Sequence, residues 1–217
     1  MKILNLYCGI GGNRKLWGNN HNIVAVESSM AIAEAYKKMY PSDKVIVIDA
    51  HEYLLAKYKE FDFIWSSPPC TTHSRARFGL GVHGHGYPYK YPDMNLYAEI
   101  ILLQSLCKTK WCVENVLPYY DYLITPRQII GRHAYWCNFA IPHLSFTQNG
   151  GIAGHTCKGK GERKFHEDRL GINLDGFGGF DLRKALRNCV EPEIGLYILN
   201  CAMDKVRTQS LFENVVS

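Results

Sequence analysis

Within its first 70 residues the chain repeats one pattern four times: a short apolar run, then an abrupt polar or glycine-rich stop. Lys2-Ile3-Leu4-Asn5-Leu6-Tyr7 gives way to Cys8-Gly9-Ile10-Gly11-Gly12, residues 22–26 stop at Glu27, residues 45–48 at Asp49, and residues 61–65 at Ser66-Ser67-Pro68-Pro69-Cys70. Runs of this length bounded by turn residues read as buried strands. The glycine-rich turn reads as the entry to a helix. Ser28 or Ser29 caps another that runs to about Met39 and is stopped by Pro41, and His51 to Tyr58 forms a further one. Strand alternating with helix implies an α/β fold on a parallel sheet with crossover helices.

Residues 71–92 are rich in Gly, His, Tyr and Pro without periodicity, which predicts a long loop and a candidate lid. A helix follows from Asp93 to Lys108, with Leu96, Ile100, Leu103 and Leu106 at helical spacing. Trp111 to Glu114 is a further strand that ends in Asn115, and residues 132–141 form one more extended segment. After Pro142 the glycine content rises and periodicity fades until Glu191, where Ile194, Ile198 and Cys201 share one face of a closing helix. The expected organisation is a core of residues 1–141, a small lobe of residues 142–187, and residues 188–217 returning to the core.

A chain of 217 residues, 47% hydrophobic, has enough apolar side chain to bury roughly 70% of its unfolded surface. No stretch approaches the roughly 18 apolar residues of a membrane span, and the chain starts in structured-looking sequence instead of a cleavable signal. Eight cysteines are scattered without a Cys-x-x-Cys pair, which favours a reducing compartment. The expectation is a soluble protein in the cytoplasm of a bacterial cell or a phage-infected host. The net charge of +5 is compatible with a phosphate backbone without demanding one. Residues 71–92 hold Arg75, Arg77 and Lys90 and no acid, and Lys158, Lys160, Arg163 and Lys164 form a second basic run. Both also fit a solvated face. His143, His155, Cys157 and His166 match no common zinc spacing, so no metal is expected. Tyr87, Tyr89 and Tyr91 serve as stacking platforms for bases or as loop packing.

In open α/β sheets ligands collect outside the carboxyl ends of the strands. The glycine-rich turn lets a ligand approach the backbone, though a plain tight turn explains it equally. Glu27 is placed to bind ribose hydroxyls and Asp49 to accept from an adenine amino group, or either caps a helix. Pro68-Pro69 presents Cys70 before a basic loop, a setting that favours a thiolate nucleophile, while a buried thiol is the competing reading. Glu114 leaves an apolar strand toward the same crevice, so its pKa should rise and suit a proton donor.

The order of these clusters resembles the DNA cytosine-5 methyltransferase family. The resemblance runs through Leu6-Tyr7-Cys8-Gly9-Ile10-Gly11-Gly12, Glu27, Asp49, Pro68-Pro69-Cys70 with Ser74, Asp93-x-Asn95-Leu96, Glu114-Asn115-Val116 and Asn188-x-Val190. It implies a Rossmann-like sheet of the S-adenosylmethionine-dependent methyltransferase type, with helices on both faces and a small target-recognition lobe inserted before the last motif. It further implies that Tyr7, Gly9, Gly11, Glu27, Asp49, Pro68 and Leu96 line the S-adenosylmethionine site, closed by Asn188 and Val190. Cys70 would attack carbon 6 of cytosine in double-stranded DNA, Glu114 would donate to ring nitrogen 3, and Asn115 would brace the loop beneath Cys70. The base must leave the stack to be reached. Ser74, Arg75 and Arg77 would meet the DNA.

Two departures stand out. Where the family usually has Gln and, two places later, Phe after the cysteine, this chain has Thr71 and His73. The family's Gln-x-Arg-x-Arg segment is poorly reproduced, leaving Arg132 to contact the base or to serve the structure. The recognition stretch is shorter than in most restriction-modification enzymes. The alternatives are an RNA cytosine-5 methyltransferase, a non-catalytic nucleic-acid-binding relative, and a nicotinamide oxidoreductase, the last leaving Cys70 and Glu114 unexplained.

Overall fold

The computed structural model describes residues 1–75, 78–79, 90–144 and 160–206. Seven strands, β1 Lys2–Leu6, β2 Asn22–Glu27, β3 Lys44–Val47, β4 Phe63–Ser66, β5 Lys110–Val116, β6 Gln128–Ile130 and β7 His133–Cys137, form one sheet in the order β3-β2-β1-β4-β5-β7-β6. The first five are parallel, as the alternation with helices predicts, while β7 runs antiparallel to β5 and β6 antiparallel to β7. The chain winds outward from β1 to β3, then returns to lay β4 on the other side of β1. That reversal opens a crevice at the carboxyl ends of β1 and β4.

The central strands are apolar on both sides because both faces of the sheet are covered. One face packs Ile3, Phe63, Trp65 and Cys112 against Ile194 and Ile198 of the closing helix α6, Pro192–Ala202, and the helix α1, Met30–Met39, seals the β2–β3 end of it through Tyr36. The opposite face packs Leu4, Leu6, Val24 and Ile64 against Leu54 of α2, Ala50–Lys57, and against Ile100 and Leu103 of α3, Asn95–Leu106.

The expected helix after Gly12 is instead a run of tight turns, with Arg14 N–H bonded to Gly11 O and Trp17 N–H to Arg14 O. Contacts with the rest of the molecule override helix formation there. Arg14 is drawn into a buried bidentate pair with Asp43, and the Asn13 backbone lies so near Gly195 that any Cβ on that glycine would overlap it. Ser29 occupies the N-cap of α1 without a side-chain cap bond, and its backbone N–H donates to Glu27 Oε1 at 2.9 Å.

Past Pro142, two helices stand where periodicity fades: α4, Lys160–Leu170, and α5, Leu182–Arg187. Leu170, Ile172, Leu174 and Leu186 pack directly on Ile10 and Ile32, so this stretch is fastened to the glycine-rich turn and α1. Among the described residues no helix is long and apolar enough to cross a membrane.

Candidate active site

The crevice at the sheet reversal is a cavity of about 440 Å³, inside the roughly 300–1,000 Å³ range of small-molecule sites. Its walls come from four strand ends and from the far end of the chain. Tyr7, Gly9 and Gly12 follow β1, Glu27 ends β2, Ser67 to Thr71 follow β4, Glu114 to Val116 end β5, and Asn188 to Val190 close the opening. Of the residues predicted from sequence, Cys70, Glu114, Asn115, Arg132, Tyr7, Gly9, Glu27, Pro68, Asn188 and Val190 share this one cavity.

At one end stand two groups with complementary proton chemistry. Glu114 is buried, and burial raises its pKa to about 7 against the pull of a hydrogen bond from Ser67 and the charge of Arg132. An apolar strand therefore does deliver a carboxyl group that holds its proton near neutrality. Cys70 departs from expectation. Burial and the Glu114 charge push its thiol up and outweigh the opposing charges of Arg132 and Lys184, so the electropositive setting alone does not yield a thiolate. The Cys70 carbonyl accepts from His73 N–H at 3.0 Å and Ser74 N–H at 3.1 Å, which folds the following loop into a turn. Asn115 Nδ2 donates to Pro68 O at 2.9 Å, and its Oδ1 accepts from Val116 N–H at 3.0 Å, tying the Cys70 loop to the end of β5. Arg132 Nη2 donates to Arg187 O at 2.5 Å while its buried Nε has no partner among the described residues.

At the other end, Glu27 Oε2 accepts from Gly9 N–H at 3.1 Å, and a glycine with φ of +53° lets the turn wrap the carboxylate. Oε1 accepts from Ser29 N–H at 2.9 Å and from Ser28 Oγ at 3.5 Å, while Oε2 accepts from Gly9 N–H and keeps a second lone-pair direction for a hydroxyl. The methylene-free backbone at Gly9, with open space where a Cβ would stand, leaves room beside it.

Three predicted ligand residues lie outside the cavity walls. Gly11, with φ of +76°, is packed against Tyr36 and Tyr40, and its carbonyl accepts from Tyr40 OH at 2.9 Å. Asp49 caps α2 by accepting from Glu52 N–H at 3.0 Å, the structural alternative its position already offered. Leu96 is buried in the core under α3. Ser74 and Arg75 also stand away from the cavity: Ser74 pairs with Pro118 and Arg75 Nε donates to Pro118 O at 2.8 Å, so both anchor the loop. Arg77, His155, Cys157, Tyr87 and Tyr89 lie outside the described residues. His73, the residue in place of the family's Phe, is buried with Nδ1 2.5 Å from Tyr120 OH.

Sequence reasoning missed Asn13 and Lys184 as wall residues. Lys184 sits in α5, whose N-cap Asp181 accepts from Lys184 N–H at 3.0 Å. An Asp before Leu182 was a readable cap. Asn13 donates from Nδ2 to Asn5 Oδ1 at 2.9 Å in a buried polar pair that no local pattern announces.

A comparison with curated proteins finds no match. Among solved structures the chain is similar to an S-adenosylmethionine-dependent methyltransferase from Agrobacterium tumefaciens, with 14% identity, a TM-score of 0.40, and coverage of 56% of this chain and 40% of that one. It is similar to the putative methyltransferase YhhF from Escherichia coli, with 15% identity, a TM-score of 0.39, and coverage of 63% and 73%. A putative DNA modification methyltransferase encoded within an Escherichia coli prophage gives 16% identity, a TM-score of 0.37, and coverage of 56% and 33%. The chain thus spans less than half of the first and third of these proteins. The model of the family described as C-5 cytosine-specific DNA methylase matches residues 1–116, more than half of the 217, and the chain belongs to that family.

Proposed function

We propose that this protein methylates carbon 5 of a cytosine swung out of duplex DNA, through a covalent adduct on Cys70. The observation that carries the reading is that Cys70 and Glu114 face one cavity whose other end is walled by the glycine-rich turn and Glu27. Membership of the family implies S-adenosylmethionine as the cofactor. The donor set fits it: a carboxylate oxygen, Glu27 Oε2, with a free lone pair for a ribose hydroxyl, an open glycine backbone, and a space of about 440 Å³. When bound, it supplies the methyl group.

The chain's own residues divide the remaining work. Cys70 gives its proton to solvent water and its sulfur bonds to carbon 6 of the ring, the carbon 5–carbon 6 double-bond electrons moving into the ring toward nitrogen 3. Glu114 gives its proton to ring nitrogen 3, which keeps the ring from accumulating charge and makes carbon 5 a nucleophile. Before that transfer a neutral Glu114 removes the charge that most opposes the thiolate. After methylation the carbon 5 proton passes to solvent water, its bonding pair re-forms the carbon 5–carbon 6 double bond and expels the Cys70 sulfur as a thiolate, and ring nitrogen 3 returns its proton to Glu114. Asn115 holds Pro68 so that Cys70 approaches from one fixed direction. Residues 142–187 would read the target.

The test is incubation with labelled S-adenosylmethionine and either duplex DNA or RNA, comparing the native chain with Cys70→Ala. Transfer to DNA by the native chain alone, with a stable adduct on 5-fluorocytosine DNA through Cys70, is expected. Absence of transfer to DNA refutes the reading, and transfer to RNA alone replaces it with the RNA enzyme.

A further inference from the structure

One buried carboxylate has no part in the chemistry above. Glu99 lies in α3 among residues that otherwise turn apolar side chains to the sheet, and none of its surface is exposed. A carboxylate in that setting persists only where donors surround it. Three elements supply them. Tyr7 OH donates to Glu99 Oε1 at 2.5 Å, Ser66 Oγ donates to Oε2 at 2.6 Å, and His51 Nδ1 of α2 lies 3.1 Å from Oε1.

Each of the first two partners stands in or at the base of a wall of the cavity. Tyr7 lines the cavity, and it holds a φ of +54°, a left-handed backbone that a side-chain-bearing residue keeps only when its surroundings enforce it. Ser66 is the last residue of β4, from which the chain runs through Pro68 to Cys70. Burial and the neighbouring Glu99 charge keep the Tyr7 phenol protonated, so it remains a donor at any working pH.

We propose that Glu99 is a positioning residue: by clamping Tyr7 and Ser66 together it sets the shape of the ligand wall and the base of the Cys70 loop, without touching a ligand. This rests on reading the cavity as the S-adenosylmethionine site.

The test is calorimetric binding of S-adenosylhomocysteine to the native chain, Tyr7→Phe, Glu99→Gln and the double variant, with denaturant unfolding of each. The native chain is expected to bind, and each single change to weaken binding by roughly tenfold, the lower range of a hydrogen bond to a charged group. The double variant should weaken it by clearly less than the product of the two, because both remove the same clamp. Tyr7→Phe takes one of three donors from a buried acid and should lose some stability, so affinities are compared where the unfolding curves show every variant fully folded, and weakened binding by a folded variant separates positioning from folding. Native-like affinity in Tyr7→Phe, or full multiplication in the double variant, overturns the proposal. No binding by the native chain overturns the cofactor reading instead.

Discussion

His133 Nε2 stands 3.6 Å from Glu114 Oε1, yet the two do not form an ion pair. Burial drives the imidazole pKa well below its ordinary value, helped by the charges of Arg132 and Arg169, while burial lifts Glu114 to about 7. A neutral imidazole beside a neutral carboxyl is cheaper in a dry site than two opposed charges with imperfect geometry. Burial, and not the neighbouring imidazole, keeps Glu114 in the form that can give a proton away.

That assignment fixes a pH dependence. Single-turnover methyl transfer should rise with pH up to about 7, as more of the raised Cys70 thiol ionises, and level off above it, where the loss of the Glu114 proton offsets that gain. Glu114→Gln should lower the rate and remove this break in the profile. The same shift enters stability. A carboxyl raised above its unfolded value stabilises the fold fully below that value, and the contribution is lost as pH rises through about 7. Glu114→Gln should therefore gain on the native chain by up to roughly 3 kcal/mol between about pH 5 and about pH 8. Equal urea midpoints for the two proteins at both pH values would contradict a raised Glu114.

Asn115 gives a positional prediction. Its side chain satisfies both Pro68 O and Val116 N–H while buried, so Asn115→Ala frees the Cys70 loop by breaking its tie to β5. Misplacing a nucleophile by about 1 Å costs on the order of a hundredfold in rate. The rate of transfer should fall by roughly that factor while S-adenosylhomocysteine affinity changes less than about threefold. Loss of affinity matching the loss of rate would count against a brace acting on Cys70.

The pair Arg14–Asp43 predicts an asymmetry in stability. Both side chains are buried, with two parallel bonds of 2.8 and 3.0 Å, and Tyr36 OH adds a third donor to Asp43 at 2.8 Å. Removing one partner leaves an uncompensated charge, at about 3–5 kcal/mol. Arg14→Met and Asp43→Asn should each lower the free energy of unfolding by that much, read from denaturant curves, and Arg14→Met with Asp43→Leu should recover part of the loss. A double variant as damaged as the sum of the singles would show that the ionic pair is not the source.

These cases mark what the sequence made legible. Strands β1 to β5 and the helices between them follow from apolar runs that end in polar residues, because local pattern and tertiary burial agree there. The strand β6 was missed: it is three residues long with Ile129 exposed, and its pairing with β7 supplies what its own pattern lacks. Helix α4 was missed because it is charged almost throughout, held by pairs such as Arg163–Glu167 and Lys164–Asp168 in place of an apolar stripe. Glu99 was invisible for the opposite reason, one acid inside an apolar helix whose donors lie up to 92 residues away in the chain. Residues at strand ends could be read singly. Which of them share a wall depends on where the sheet reverses.

The meeting of the two ends of the chain yields the last prediction. Gly12 has an ordinary φ, yet a Cβ there would stand 2.7 Å from both Cys189 Cβ and Val190 O, and the latter is backbone with little freedom to move. Gly12→Ala must therefore push the Asn188–Val190 segment away from the glycine-rich turn, and both form walls of the cavity. Overpacking of this kind costs about 1–3 kcal/mol. The variant should show that loss in denaturant unfolding together with a weakening of S-adenosylhomocysteine binding by about tenfold or more. Gly178→Ala is the matched control, since nothing lies within 4 Å of a Cβ at that position and its φ is ordinary. If Gly12→Ala lost stability but bound as tightly as the control, the segment from Asn188 to Val190 would be closing the fold without closing the ligand site.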